Sequence, residues 1–216
     1  MGIVRAYHGT TLEAAELIRD VGHMRVTENA HDWLGPGAYF FQEAPYKAWK
    51  WAQQKTLEIS NSSGKKIEPA VVGVDISLER CFDLLDIHNW REIYQAYQIL
   101  DKKNALRFQK PPILTRWDGI RRYIFDSEPT ADRSGANFRD NIVVKYLMET
   151  IKENTDYDTT MIRAAFIEGK EIYENSYFFD EYHVQICLFG EHNSEILIDA
   201  VDGDLFNPEI LTAAKF

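Results

Sequence analysis

Three short patterns in this chain carry residues able to do chemistry, and their order along the sequence is informative. The first is Tyr7-His8-Gly9-Thr10-Thr11, where an imidazole and a hydroxyl flank a glycine that lets another group approach the backbone. The second is Trp33-Leu34-Gly35-Pro36-Gly37-Ala38-Tyr39-Phe40-Phe41, followed by Tyr46 and Trp49. It gathers several aromatic faces around one short apolar run, an arrangement suited to stacking a flat heteroaromatic ring. The third is Asp180-Glu181-Tyr182-His183-Val184-Gln185. In a strand its Glu181, His183 and Gln185 would share one face, because the side-chain period is two.

These groups need a frame, and the sequence predicts one. Ile3 to Tyr7 reads as a first strand that His8-Gly9-Thr10-Thr11 breaks. Thr11 then caps an amphipathic helix carrying Leu12, Ala15, Leu17 and Ile18, which Gly22 ends. After a loop closed by Gly35-Pro36-Gly37 comes a short strand, Ala38 to Phe41, and Pro45 opens a second helix. Asn61 to Lys66 reads as a solvated loop and Ala70 to Ile76 as a β-branched strand. Helices are predicted over Trp90–Leu100 and Ile142–Lys152, and strands over Arg163–Ile167, Tyr182–Leu188 and Glu195–Val201. That order predicts an α+β fold rather than a doubly wound parallel sheet. With 216 residues, the chain suits a single domain, 1–216, carrying a helical and basic insertion at about 88–160.

Composition narrows the function classes. Hydrophobic residues make up 45% and charged residues 27%, as in soluble globular proteins, and no apolar run approaches a membrane span. The N-terminus does not have a signal-peptide pattern, and Cys81 and Cys187 are too few and too distant for a metal knuckle. A cytoplasmic location with two buried free thiols is the expectation. The net charge of −10 repels nucleic acid and anionic membranes overall. The strip from Lys102 to Arg122 runs the other way. Lys102, Lys103, Arg107, Lys110, Arg116, Arg121 and Arg122 stand there against Asp118 alone, interleaved with Phe108, Trp117 and Tyr123. Such a strip is either a solvated surface or a landing site for RNA or DNA with aromatics to stack bases.

Together, His8-Gly9-Thr10, Gly22, Gly35-Pro36-Gly37-Ala38-Tyr39-Phe40 and Glu181-Tyr182 resemble the catalytic frame of the diphtheria-toxin-like ADP-ribosyltransferases, which include the poly(ADP-ribose) polymerases. The likeness is close over residues 3–52 and weaker near 163–188. It implies a split mixed β-sheet with peripheral helices and NAD as co-substrate, without a metal. By this resemblance His8 and Gly9 would hold the ribose and the nicotinamide amide, with Thr10 and Gly37 beside them. Tyr39 would stack on the nicotinamide, Tyr46 or Trp49 would form the opposite wall, and Glu181 would be the catalytic carboxylate. Where relatives often carry a serine after the Tyr strand, this chain has Tyr46, Lys47 and Ala48, leaving Thr10 as the substitute hydroxyl. A register shift of two residues would bring His183 or Gln185 to the place of Glu181.

The implied activity is transfer of ADP-ribose from NAD to a macromolecule, nucleic acid ahead of protein, with release of nicotinamide. By analogy the setting would be that of a bacterial toxin of a toxin–antitoxin or phage-defence system, with an antitoxin or chaperone as protein partner. NAD hydrolysis, or a degenerate module that binds NAD or ADP-ribose without cleaving it, are the alternatives.

Overall fold

A computed structural model of the chain describes residues 2–24, 26, 32–103, 136–154 and 159–190. Six strands and four α-helices lie among them, so at the coarse level the chain is the mixture of strands and helices that its order of elements predicts. The chain divides into two compact units, Met1–Arg25 with Ala38–Glu79 and His183–Phe216, and Val26–Gly37 with Arg80–Tyr182.

The first unit is built around β1 (Ile3–Thr11). Thr11 ends that strand and starts α1 (Leu12–Val21), its Oγ1 accepting from the Ala14 N–H at 3.1 Å, as the capping pattern predicts. Gly22 closes α1 in the left-handed conformation, φ 71°, with its N–H donating to the Ile18 carbonyl. β2 (Ala38–Gln42) follows, then α2 (Pro45–Ser63) and β3 (Pro69–Ser77). The strand β6 (His183–Leu188) completes the unit. Its strands lie in the order β3-β1-β2-β6, each antiparallel to its neighbour.

Two corrections concern the ends of elements in this unit. β1 does not break at His8 but continues to Thr11, because β3 pairs with it over its whole length, from Ile3↔Ser77 to Thr11↔Pro69. That ladder outweighs the turn tendency of His-Gly-Thr-Thr. The loop expected from Asn61 starts later as well. α2 runs through Ser63 and stops at Gly64, whose φ of 70° is the left-handed conformation of a glycine C-cap.

The core of this unit joins both partners of α2. Ala48, Phe41 and Val71 form a buried cluster, with Tyr7, Ala44 and Trp49 packed against it. β3 is buried at Ala70, Val71, Val72, Val74 and Ile76, on both of its faces, which explains its near-continuous apolar run.

In the second unit β4 (Cys81–Asp83), too short to announce itself in the sequence, pairs in parallel with β5 (Met161–Phe166). α3 (Trp90–Lys102) packs its Ala96 and Leu100 side against α4 (Ala136–Asn154), which buries Val143, Val144 and Leu147. The Trp90 indole N–H donates to the Leu84 carbonyl at 2.9 Å, and Asn141 Nδ2 to the Asp32 carbonyl at 2.7 Å. The strand expected at Glu195–Val201 lies outside the described residues, as do Arg107, Lys110, Arg116, Arg121 and Arg122 of the basic strip. Lys102 and Lys103 end α3, both exposed. Among the described residues no helix is long and apolar enough to cross a membrane.

Both cysteines are buried thiols outside any disulfide, as expected. Burial, and then the neighbouring Asp83 carboxylate, push the Cys81 thiol up to about 12, so it stays protonated and unreactive at neutral pH. Asp83 also ties β4 to β5, accepting from Arg163 through both carboxylate oxygens, with Nε to Oδ1 at 3.0 Å and Nη2 to Oδ2. Both side chains are largely shielded from water. Asp83→Ala is therefore expected to lower stability by about 2 kcal/mol, because the guanidinium loses two charged acceptors where water reaches it poorly. Urea unfolding reads this directly, and an unchanged midpoint would show that the pair contributes nothing.

Candidate functional site

His8, Gly9 and Thr10 sit inside β1, paired with Val72, Val71 and Ala70 of β3. On its other edge β1 meets β2 only at Ala6↔Gln42 and Tyr7↔Phe41. The strand therefore runs four residues past its last pair with β2, and the sheet forks at His8. The Arg5 carbonyl accepts from the Glu43 N–H at 2.9 Å, which identifies the β2-facing edge. Backbone groups alternate along a strand, so the N–H and C=O of Gly9 face the same edge, beyond the last β1–β2 pair.

One side-chain bond crosses the fork. His8 Nδ1 lies 2.7 Å from the Tyr39 carbonyl, and a carbonyl can only accept, so Nδ1 carries the proton. The imidazole is held neutral. Burial lowers it from 6.5 to about 4, the Tyr39 carbonyl opposing this and the Lys55 charge adding to it. In that tautomer Nε2 presents a lone pair and can accept from a hydroxyl.

Strand alternation then sorts the side chains. Tyr7 pairs with Phe41, Phe41 with Gln185 and Tyr39 with Cys187, so these share one face of the sheet. His8 leaves from the other face, where its ring lies 5.8 Å from that of Phe40. His8 and Tyr39 are thus joined through the Tyr39 backbone rather than through their rings.

Gly9 belongs to the Tyr7 face, and α2 fills the space before it. A Cβ at Gly9 would stand 2.1 Å from the Ala48 carbonyl oxygen and 3.0 Å from the Ala52 nitrogen. The side-chain space that Gly9 leaves empty is taken by a helix, and a ligand could meet this residue only at its peptide edge. Thr10, on the His8 face, is buried.

The other residues singled out by the sequence are spread more widely. Trp49 packs on the Phe41–Ala48–Val71 cluster, whereas Tyr46 in the first turn of α2 is exposed. Gln185 Nε2 donates to His183 Nε2 at 2.8 Å, and the buried His183 ring meets Phe41 edge-on at 5.1 Å. Gly37 is a buried residue of the second unit. Glu181 also belongs to that unit. It is half-buried in a turn, not in the strand expected from Tyr182, because β6 begins only at His183. The shared strand face expected for Glu181, His183 and Gln185 therefore holds for the last two alone. Lys55 and Phe40 act on His8 without any local signal that could have singled them out. A lysine in mid-helix and a phenylalanine in a strand are ordinary residues.

The state of His8 has a consequence for stability. Its folded value, about 4, lies below the unfolded 6.5, so the neutral form is favoured by folding. The corresponding stability is fully present above 6.5 and is lost as pH falls toward 4, where protonation favours the unfolded chain. The loss should be on the order of 3 kcal/mol across that window. In urea titrations at a series of pH values, His8→Asn should show a shallower acid loss than the parent. Parallel curves would place His8 in a more solvated setting.

Comparison of the chain with protein-family models, with curated proteins and with solved structures returned no match.

Proposed function

We propose that this protein is an NAD-dependent ADP-ribosyltransferase that moves ADP-ribose to a macromolecular acceptor and releases nicotinamide. The observation that carries this reading is the fork between β1 and β2. There the Gly9 peptide edge offers one donor and one acceptor, the complement of a carboxamide, and neutral His8 offers Nε2 to a sugar hydroxyl. A nicotinamide riboside carries both of those partner groups on adjoining rings.

The chemistry follows from the substrate. The bond between ribose C1′ and the nicotinamide nitrogen breaks with its electron pair going to the nicotinamide, which leaves neutral. Positive charge develops on the ribose and is stabilised by a carboxylate, the part given to Glu181 by the resemblance described above. An acceptor nucleophile then attacks C1′ and releases its proton to solvent. His8 is suited to holding the ribose, not to proton transfer, since it stays neutral from well below pH 6 upward. The basic strip from Lys102 to Arg122 favours nucleic acid as acceptor, and a toxin or anti-phage effector is the setting that fits such an activity.

Incubation with labelled NAD and separate pools of RNA, DNA and protein tests this reading. Label retained by one pool, together with free nicotinamide, is the expected result. Free ADP-ribose with no labelled pool would make the protein a hydrolase, and NAD left intact would overturn the enzymatic reading.

A further inference from the structure

The segment 167–182 of the second unit is an ordered hairpin that presents aromatic side chains outward. Its two arms are joined by the Glu171↔Phe179 bridge, by the Asp180 N–H donating to the Lys170 carbonyl at 3.0 Å, and by the Ile172 N–H donating to the Phe178 carbonyl at 3.0 Å. The tip is fixed as well. The Ser176 N–H donates to the Tyr173 carbonyl, Ser176 Oγ accepts from the Phe178 N–H at 2.9 Å, and Glu171 Oε2 accepts from the Asn175 N–H at 3.0 Å. At the base, the Lys170 N–H donates to Asp180 Oδ1 at 2.7 Å. Gly169, with φ 89°, leaves no room for a Cβ beside that carboxylate.

This frame turns Tyr173, Tyr177, Phe178 and Tyr182 to the surface, with Tyr177 97% exposed. Exposed aromatics on a pre-formed hairpin are a marker of association, since collapse would otherwise cover them. The same segment carries five carboxylates, Glu168, Glu171, Glu174, Asp180 and Glu181, against a single cation, Lys170. That charge decides among partners. Phosphate backbones and anionic lipid are repelled, and a second copy docking through the same patch would set carboxylate against carboxylate. A chain rich in arginine and lysine gains on both counts, through ion pairing and through cation–π contact with the tyrosine and phenylalanine faces.

We infer that the 167–182 hairpin is a docking surface for a cationic polypeptide segment. The inference concerns binding alone and does not rest on the NAD reading. The test is fluorescence anisotropy of a short labelled peptide rich in arginine and lysine, added to the full-length chain. The parent should bind it, and the combined Tyr173→Ser, Tyr177→Ser and Phe178→Ser variant should weaken binding roughly tenfold or more. Glu174→Lys should weaken it too and flatten its salt dependence. Far-UV circular dichroism checks that the triple variant is folded, and where it is not, Tyr177→Ser alone carries the comparison. The inference is overturned if the parent does not bind the peptide, if the variants bind as the parent does, or if a labelled single-stranded RNA oligonucleotide binds the parent and loses that binding in the triple variant. It is equally overturned if the triple variant's only effect is to abolish self-association.

Discussion

Glu181→Gln should bind NAD about as tightly as the parent and transfer ADP-ribose roughly 10²–10³ times more slowly. The substitution keeps shape and hydrogen-bonding capacity and removes only the negative charge. In the ground state the nicotinamide riboside carries its positive charge on the pyridinium ring. In the transition state that charge moves onto the ribose. A carboxylate placed for the second arrangement therefore contributes chiefly to the rate, and its loss should appear in kcat with KM little changed. Single-turnover release of nicotinamide measures this without an identified acceptor.

Gln185→Ala is the paired control. Gln185 lies on the strand face of Tyr39 and Phe41 and donates to His183, so it is the alternative that a shifted register would favour. Full activity in Glu181→Gln together with loss of turnover in a folded Gln185→Ala protein would transfer the catalytic part to β6. If both variants turn over like the parent, neither residue reaches the reacting sugar.

What the sequence made legible follows how local each determinant is. The caps of α1, Thr11 and Gly22, were readable because a side-chain oxygen and a left-handed glycine act within one turn of their own position. Pro45 at the start of α2 was readable for the same reason. The continuation of β1 through His8-Gly9-Thr10 was not, since it depends on β3, far along the chain, offering a partner to every residue. Glu181 shows the same limit. Period-two spacing placed it in a strand with His183 and Gln185, but the Tyr182 N–H donates to the Phe179 carbonyl and holds that stretch in a turn. The candidate site was legible as a set of residue types, while its geometry was not. Nothing in the sequence says that His8 would reach the Tyr39 backbone, or that Lys55 would help keep it neutral.

Gly9→Ala should be the most damaging small substitution in the first unit, at about 3 kcal/mol of stability or slightly more, for a reason unrelated to any ligand. The added Cβ would stand 2.1 Å from the Ala48 oxygen and 3.1 Å from the Ala48 carbonyl carbon, inside any tolerable contact. Both are backbone atoms of α2, which cannot turn aside as a flexible side chain could. The helix is seated this closely because Ala48, Ala52 and Thr56 form a buried small-residue stripe, with the Thr56 hydroxyl satisfied by the Ala52 carbonyl at 2.9 Å. Relief would require α2 to lift from β1 and β3, opening the cluster of Phe41, Ala48 and Val71. For a chain of this size the loss corresponds to a fall in Tm of about 6–12 °C. Ala48→Gly in the same chain should give no rescue, because it removes a methyl group and leaves the clashing carbonyl in place. A rescued Tm would show that side chains set the spacing. A Gly9→Ala protein with the parent's Tm but no NAD binding would return Gly9 to the ligand, with α2 a bystander.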